Sequence, residues 1–126
     1  MGHSYKDLIA WQKAKRLAVG VYKISKAFPR DEIYGLTSQA RRAAVSVASN
    51  IAEGQGRTTK GEFIQFLGHA RGSLLELQTQ LEIALELKYI TTANFEELES
   101  LSNDVRALLN RLIESLQSKQ KAAGGV

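Results

Sequence analysis

Apolar residues recur along most of the chain at alternating spacings of three and four, which is the period of an α-helix that buries one face. No segment alternates apolar and polar residues over the length of a useful β-strand. The spacing predicts helices over residues 5–28, 36–53, 60–88 and 93–119. Four amphipathic helices joined by short connections favour an all-α fold, an antiparallel up-down-up-down four-helix bundle. We expect residues 1–126 to form this single domain, with a flexible C-terminal tail.

Start and stop signals mark the ends of these predicted helices. Ser4 is expected to cap the first helix, and Pro29 ends it because the residue before a proline is pushed out of the α region. Gly54 supplies the positive φ that often stops a helix, and it therefore ends the second. Thr59 and Glu62 have the spacing of a capping box, which predicts that the third helix starts there.

The second and fourth helices have unusual surfaces. The second is rich in alanine and serine, so it either lets its neighbours approach closely or lies at the centre of an assembly. The fourth has an apolar stripe wider than one packing face needs, because Leu109 and Ile113 add to the main seam. That main seam consists of Leu98, Leu101, Val105, Leu108, Leu112 and Leu116.

Composition and charge narrow the class of protein. The absence of cysteine excludes disulfides and zinc–thiolate sites and suits a reducing cytoplasm. Because no apolar run approaches the roughly 18 residues of a membrane span, we expect a cytoplasmic protein with no membrane contact. Residues 1–60 carry 11 Lys and Arg against 4 Asp and Glu, a net charge of +7, whereas residues 61–126 carry 6 against 9, a net charge of −3. This asymmetry predicts either an anionic partner for the first half or attraction between the halves, within or between subunits.

No combination of residues indicates catalysis. Neither histidine has the Glu-x-x-His spacing of a di-metal bundle, and the chain has no phosphate-binding P-loop. We therefore expect a non-enzymatic protein without metal or cofactor. The alternative is an enzyme acting through Asn50, Glu53, Arg57 and Glu76, which requires that they line a pocket holding a strongly perturbed carboxylate.

Polar residues follow one face of the second helix and one face of the third at helical spacing. If these faces meet, Arg42 or Arg57 is expected to pair with Glu76, and Asn50 or Glu53 is expected to bond Ser73. The functional interpretation is a ligand-sized pocket, and the structural interpretation, which we favour, is a network that sets the register of two helices. The expected members are Gln39, Ser46, Asn50, Glu53, Ser73 and Glu76.

Basic residues give a candidate nucleic-acid-binding surface. Lysine and arginine neutralise phosphates and confer salt-dependent affinity that is largely independent of base sequence. No aromatic residues interleave with them, so the sequence gives little support for base stacking. The alternative is an ordinary solvated face, which oligomerisation would multiply into a continuous basic surface. The candidates are Lys13, Lys15, Arg16, Arg41, Arg42, Arg57, Lys60 and Arg71.

Several motifs together identify a family. They are Tyr5-x-x-Leu8-x-x-Trp11, Phe28-Pro29-x-x-Glu32-x-x-Gly35-Leu36, Gln39-x-Arg41-Arg42-Ala43-x-x-Ser46, Asn50-Ile51-Ala52-Glu53-Gly54-x-x-Arg57, and then Phe63, Phe66-Leu67, Ala70-x-Gly72-Ser73 and Glu76. With these motifs the chain resembles the small four-helix-bundle proteins encoded in intervening sequences of bacterial ribosomal RNA genes. That family includes the accessory variability determinant protein of diversity-generating retroelements.

The resemblance implies an antiparallel bundle that assembles into a homopentameric barrel. It also implies RNA or DNA as a partner, and a reverse transcriptase if the gene lies in a retroelement. The residues to which it extends are Arg41, Arg42 and Arg57, as basic surface or interface positions. The leading hypothesis is thus a homo-oligomer that binds nucleic acid. Its alternative is a purely structural or protein-interaction oligomer whose arginines pair with carboxylates of a neighbouring subunit.

Overall fold

The fold is a bundle of four α-helices, as the periodicity predicts. A computed structural model describes residues 4, 5 and 8–124, with the backbone alone for residues 120–124. Each helix packs against the next one along the chain, α4 also packs against α1, and no described residue lies in a β-strand. The helices are α1 (Ile9–Ser25), α2 (Leu36–Gln55), α3 (Lys60–Glu86) and α4 (Thr92–Gly124), with a short 3-10 helix (Arg30–Glu32) between α1 and α2. The predicted all-α class is confirmed.

Hydrogen bonds between neighbouring helices show that their directions alternate. Arg71 of α3 donates to Asn110 of α4 at 2.9 Å, and seven residues later Gln78 donates to Asn103 at 3.0 Å. The residue numbers rise along α3 while those of the partners fall along α4, so the two helices are antiparallel. With short connections between successive helices, this is the up-down-up-down arrangement.

Leucines of α3 and α4 and small residues of α2 form much of the core. Ala40, Ala43 and Ala44 are all buried, and α2 packs against both α1 and α3. The alanine-rich sequence of α2 therefore allows two neighbours to approach it closely. The largest fully buried side chains are Leu17, Val47, Ile51, Leu67, Leu74, Leu77, Leu81, Val105 and Leu109.

The buried face of α4 differs in part from the predicted seam. Leu109 and Ile113, which we expected only to widen the stripe, point into the core and are 0% and 6% exposed. Leu108 and Leu112, which we expected in the main seam, are half-buried and line a surface groove together with Leu8 near the start of α1. Because α4 contacts a neighbour on either side, both flanks of its stripe are apolar, and spacing alone does not tell which residues face the bundle axis.

Helices α1 and α4 differ at their ends from the prediction, and α1 stops at Ser25 and not at residue 28. Helix α1 begins at Ile9 after Leu8, with no side-chain cap, so Ser4 does not cap it. Helix α4 continues to Gly124, well beyond the predicted end at residue 119. The residues after 119 are lysine, glutamine and alanine, which are good helix formers, and glycine first interrupts them at 124. The remainder of the predicted flexible tail lies outside the described residues.

Gly54 does not end α2, which corrects the prediction. The helix continues to Gln55, and no described glycine has a positive φ. A Cβ atom at Gly54 would lie 2.8 Å from Cδ1 of Phe63 and 2.9 Å from Cβ of Phe66. Glycine is required here because α3 crosses α2 closely at this point.

The two ends of α3 have well-defined caps. The Thr59 hydroxyl accepts a hydrogen bond from the backbone N–H of Glu62 at 3.1 Å, which confirms the predicted start. At the other end Lys88 adopts a left-handed conformation with φ of 62°. The N–H of Tyr89 donates to the carbonyl of Ala84 and that of Lys88 to Leu85, so the helix ends in a Schellman motif with lysine in the usual glycine position.

The connector between α1 and α2 is tied to the connector between α3 and α4. The Glu32 carboxylate accepts hydrogen bonds from the Leu36 N–H at 3.0 Å and from the Tyr89 hydroxyl at 2.9 Å. The hydrogen bond from the Leu36 N–H has the larger effect in lowering the pKa of Glu32, and the bond from the Tyr89 hydroxyl lowers it further. The same contact with Glu32 raises the pKa of Tyr89. The Tyr89 ring also packs on Phe28 with centroids 5.5 Å apart, so these contacts hold one end of the bundle together.

Candidate nucleic-acid interface

Some of the predicted basic residues lie beside carboxylates in the groove between α1 and α4. Lys13 forms an ion pair with Asp104 at 3.3 Å, with both side chains partly exposed. Arg16 lines the same groove, which Glu97 of α4 also lines. The positive charge on this side of α1 is therefore locally offset by the acidic second half of the chain, which is one of the two outcomes that the charge asymmetry predicts.

The groove between α1 and α2 is different, because its cations meet aromatic rings instead of acids. Its floor is apolar and includes the rings of Trp11 and Tyr22. The Lys15 Nζ atom lies 5.5 Å from the centroid of the Trp11 ring, and the Arg41 Cζ atom lies 4.9 Å from that of Tyr22. Lys26 lines the groove as well, and none of its described lining residues is a carboxylate. We call this surface the α1–α2 groove.

The aromatic residues of the α1–α2 groove were missed in the sequence, where we saw no aromatic interleaving among the cations. The signal is present at helical spacing. Trp11 and Lys15 are four residues apart, and so are Tyr22 and Lys26, so each pair shares a helix face. Eleven residues make about three turns, which brings both pairs to the same side of α1. These aromatic–cation pairs become evident when residues are compared at the helical period and not in their order along the chain.

Arg41 is held in place by two contacts with α1. Its Nε–H donates to the Ser25 hydroxyl at 2.7 Å, and its guanidinium lies over the Tyr22 ring. The Ser25 hydroxyl in turn donates to the Tyr22 carbonyl at 3.2 Å, which orients it as an acceptor for Arg41. Cation–π contact and hydrogen bonding thus fix this side chain against α1.

The other four predicted cations are dispersed. Arg42 is exposed on α2, and Lys60 is exposed at the first turn of α3. Arg57 lies over the Phe66 ring at 4.5 Å and approaches the Glu53 carboxylate at 3.9 Å. Arg71 contacts α4 through its bond to Asn110. The eight candidates therefore do not form one patch.

The polar faces of α2 and α3 meet, but their members pair differently from the expectation. The hydroxyls of Ser46 and Ser73 are 2.9 Å apart, and the Asn50 amide donates both to the Ser46 hydroxyl at 3.0 Å and to its carbonyl at 2.8 Å. Asn50 and Glu53 do not bond Ser73 in the described contacts. The contact is small and local, and joins the middles of the two helices.

The predicted carboxylates lie outside this contact. Glu53 is exposed and approaches Arg57. The expected pairing of Glu76 with Arg42 or Arg57 is not among the ion pairs of the described residues. Glu76 is exposed and accepts a hydrogen bond from Gln80 of its own helix at 3.4 Å. Gln39 is exposed on α2.

Within the described part of the chain, no three histidine or acidic side chains come together as a possible metal site. None of the described helices combines the length and apolarity needed to cross a membrane.

Comparisons with known proteins agree with the fold. A crystal structure of a protein of unknown function, from the S23 ribosomal protein family of Bacteroides thetaiotaomicron VPI-5482, matches with a TM-score of 0.79. The two chains are 24% identical, and the match covers 86% of this chain and 98% of that one, so the likeness shows the fold alone. No protein of curated function matches the chain. The family model for 23S rRNA-intervening sequence proteins matches residues 6–111, and the chain therefore belongs to that family.

Proposed function

We propose that this protein is a non-catalytic homo-oligomer that binds nucleic acid along the α1–α2 groove. The observation that carries the proposal is the charge of that groove. Lys15, Lys26 and Arg41 line or border it and no described lining residue is acidic, whereas Lys13 on the neighbouring side of α1 has a carboxylate partner. Cations without a carboxylate partner attract phosphates. Lys26 and Arg41 line cavities whose described lining holds no acid, whereas Lys15 also lines the groove between α1 and α4.

The aromatic floor of the groove supports a single-stranded ligand. Aromatic rings next to a basic track are the features with which proteins bind strands without reading their sequence, since every base has a face that can stack. Tyr22 is exposed and Trp11 is half-buried. The chain shows no helix-turn-helix or other motif for reading base pairs in a groove. The description of the family refers to 23S rRNA, and this favours RNA over DNA as the strand.

The test measures binding of a fluorescent oligouridylate by anisotropy. We expect affinity for wild type to fall steeply between about 50 and 200 mM salt. We expect Lys26→Glu/Arg41→Glu to abolish binding, while the matched reversal Arg106→Glu/Arg111→Glu on α4 retains at least part of it. Trp11, the only tryptophan, lies in the groove and reports occupancy by quenching. Salt-independent binding, or equal loss in both reversals, would contradict the proposed groove.

Self-association is supported by the outer face of α3. A Cβ atom at Gly68 or Gly72 would meet nothing within 4 Å, so neither glycine is explained by packing within one subunit. Glycine inside a helix costs about 1 kcal/mol relative to alanine, and close approach of a second chain would offset that cost. Leu75 and Ile83 are 45% and 44% exposed on the same helix. We propose this face as a subunit contact, and the family resemblance gives five subunits as the expected number.

Light scattering tests the oligomer and also the alternative function. We expect Gly72→Leu or Ile83→Glu to reduce the mass of the assembly, whereas Arg41→Glu/Arg42→Glu leaves the mass unchanged and weakens oligonucleotide binding. The alternative is a purely structural oligomer in which these arginines pair with exposed acids of a neighbour, such as Glu82 or Glu86. Dissociation of the assembly by the arginine reversal would favour that alternative.

A further inference from the structure

A small pocket lies where the α1–α2 groove reaches the connector between the two helices. Its volume is about 300 Å³, and Lys26 lines both the pocket and the groove. Arg30 from the connector and Arg41 from α2 complete a set of three cations around it, with the Phe28 ring in its apolar wall. We call this the end pocket.

No carboxylate offsets these three charges within the end pocket. None of its described lining residues is acidic. Glu32 is two residues after Arg30, but its carboxylate accepts hydrogen bonds from the Leu36 N–H and the Tyr89 hydroxyl, outside the end pocket. Three cations with an apolar wall on one side create a local positive potential that water screens less than at a flat surface.

Arg41 is oriented for an anion before any ligand arrives. Its Nε–H donates to the Ser25 hydroxyl, and the face of its guanidinium lies over the Tyr22 ring. The two terminal nitrogens of the guanidinium are therefore available to a ligand. Within the described residues, those nitrogens have no hydrogen-bond partner. A guanidinium fixed in this way loses little conformational entropy when its remaining N–H groups bind two oxygens of one phosphate.

A threonine hydroxyl adds a neutral donor to the lining of the end pocket. Thr37 lines it and is 3% exposed, and its hydroxyl has no hydrogen-bond partner among the described residues. A hydroxyl that lines a cavity can donate to a ligand oxygen.

We propose that the end pocket binds a terminal phosphate monoester of a nucleic-acid strand whose backbone follows the α1–α2 groove. A backbone phosphodiester carries one negative charge, whereas a phosphate monoester carries about −1.5 to −2 near neutral pH. Three unpaired cations and a free hydroxyl suit the more highly charged group. The position of the strand rests on the proposed function, but the affinity of the pocket for phosphate does not.

The first experiment compares ten-residue oligouridylates that have a 5′-hydroxyl, a 5′-phosphate or a 3′-phosphate. We expect one phosphorylated end to raise the affinity of the wild-type protein on the order of tenfold, which is the effect of a charge-assisted hydrogen bond. Arg30→Gln should abolish that preference, because Arg30 lines the end pocket only. Arg106→Gln, the same change of charge on the α3-facing side of α4, should retain it.

A second experiment uses inorganic phosphate and ribose 5-phosphate at constant ionic strength, with the backbone amide of Thr37 and the Nε–H of Arg41 observed by NMR. We expect both resonances to shift in wild type and not in Arg30→Gln.

If the three oligouridylates bind equally well, the end pocket does not hold a strand terminus and the proposal is overturned, although nucleic-acid binding itself stands. If no oligouridylate binds, the proposed function fails as well, and phosphate-dependent shifts then identify a site for a free phosphate monoester in place of a strand end. Absence of both the preference and the shifts overturns the end pocket altogether.

Discussion

Glycines of this bundle have opposite roles that only their surroundings reveal. Gly54 lies under the Phe63 and Phe66 side chains, where an added methyl has no room, whereas Gly68 on α3 faces open space. The two residues look alike in the sequence, since each stands within or next to a helical pattern. Their substitution by alanine therefore gives opposite results.

We expect Gly54→Ala to destabilise the protein by about 1–3 kcal/mol, because a methyl at less than 3 Å from a ring atom and a Cβ forces α2 and α3 apart. Gly68→Ala is the matched control, and it should stabilise the subunit by up to about 1 kcal/mol through helix propensity. Urea unfolding at a concentration where the chain is monomeric measures both. Equal effects of the two substitutions would show that the contact of α3 with Gly54 is not tight.

Glu32 makes part of the stability dependent on pH. Its pKa in the folded protein is lowered by hydrogen bonds that the unfolded chain lacks, so folding favours the charged carboxylate. The contribution is therefore present above the pKa of the unfolded chain and is lost as the pH falls through the lower pKa of the folded state. We expect Glu32→Gln to be less stable than wild type at neutral pH, and the difference to shrink below about pH 4.

The measurement is the urea midpoint from pH 7 downward, and Asp31→Asn in the same connector is the charge-matched control. Asp31 is exposed, and we expect its substitution to leave the midpoint nearly unchanged at neutral pH. A difference between wild type and Glu32→Gln that stays constant with pH would mean that the carboxylate charge does not matter. The contribution of Tyr89 to stability has the opposite pH dependence. Because its pKa is raised in the folded protein, that contribution is present at neutral pH and is lost as the pH rises above about 10.

At the scale of elements, α2 and α3 are joined by both shape and hydrogen bonds. The small residues of α2 allow the close approach, and the Ser46–Ser73 contact with Asn50 sets the register of the two helices. This favours the structural interpretation of the polar faces over a ligand pocket, because the serines are bonded to each other and Glu53 lies outside at the surface.

A double-mutant cycle tests this register contact. We expect Ser46→Ala and Ser73→Ala each to cost roughly 1 kcal/mol, because each leaves its partner short of one hydrogen bond. The double variant should be less destabilised than the sum, with a coupling of about 0.5–1 kcal/mol. Ser49→Ala, on the exposed side of α2, should change the free energy of unfolding by less than about 0.5 kcal/mol. Strict additivity would mean that the two hydroxyls do not interact.

At the scale of the whole molecule, the position of the acids decides which part of the basic half remains available. Helix α4 places Asp104 and Glu97 along one side of α1, and α2 places none along the other. Two lysines only two residues apart, Lys13 and Lys15, consequently have different surroundings: one has a carboxylate partner and the other an aromatic ring.

This contrast gives a prediction for salt dependence. If the α1–α2 groove binds a strand, Lys15→Gln should reduce the slope of log K against log salt by about 0.7, the value for one phosphate contact with a single strand. Lys13→Gln should change the slope by less, because Asp104 already offsets that charge. Anisotropy titrations at four salt concentrations measure both. Equal changes for the two variants would show that the pairing with Asp104 does not determine which lysine contacts phosphate.

The sequence by itself determined the number, order and approximate extent of the helices, because helical period and capping residues are local signals. It also determined the family, through motifs that extend over most of the chain. It did not determine the buried flank of α4, the packing role of Gly54 or the aromatic partner of Arg41. Each of these depends on which helices become neighbours. Lys13 and Asp104 are 91 residues apart in the chain, so the folding of α4 against α1 sets which cations have a carboxylate partner and which have none.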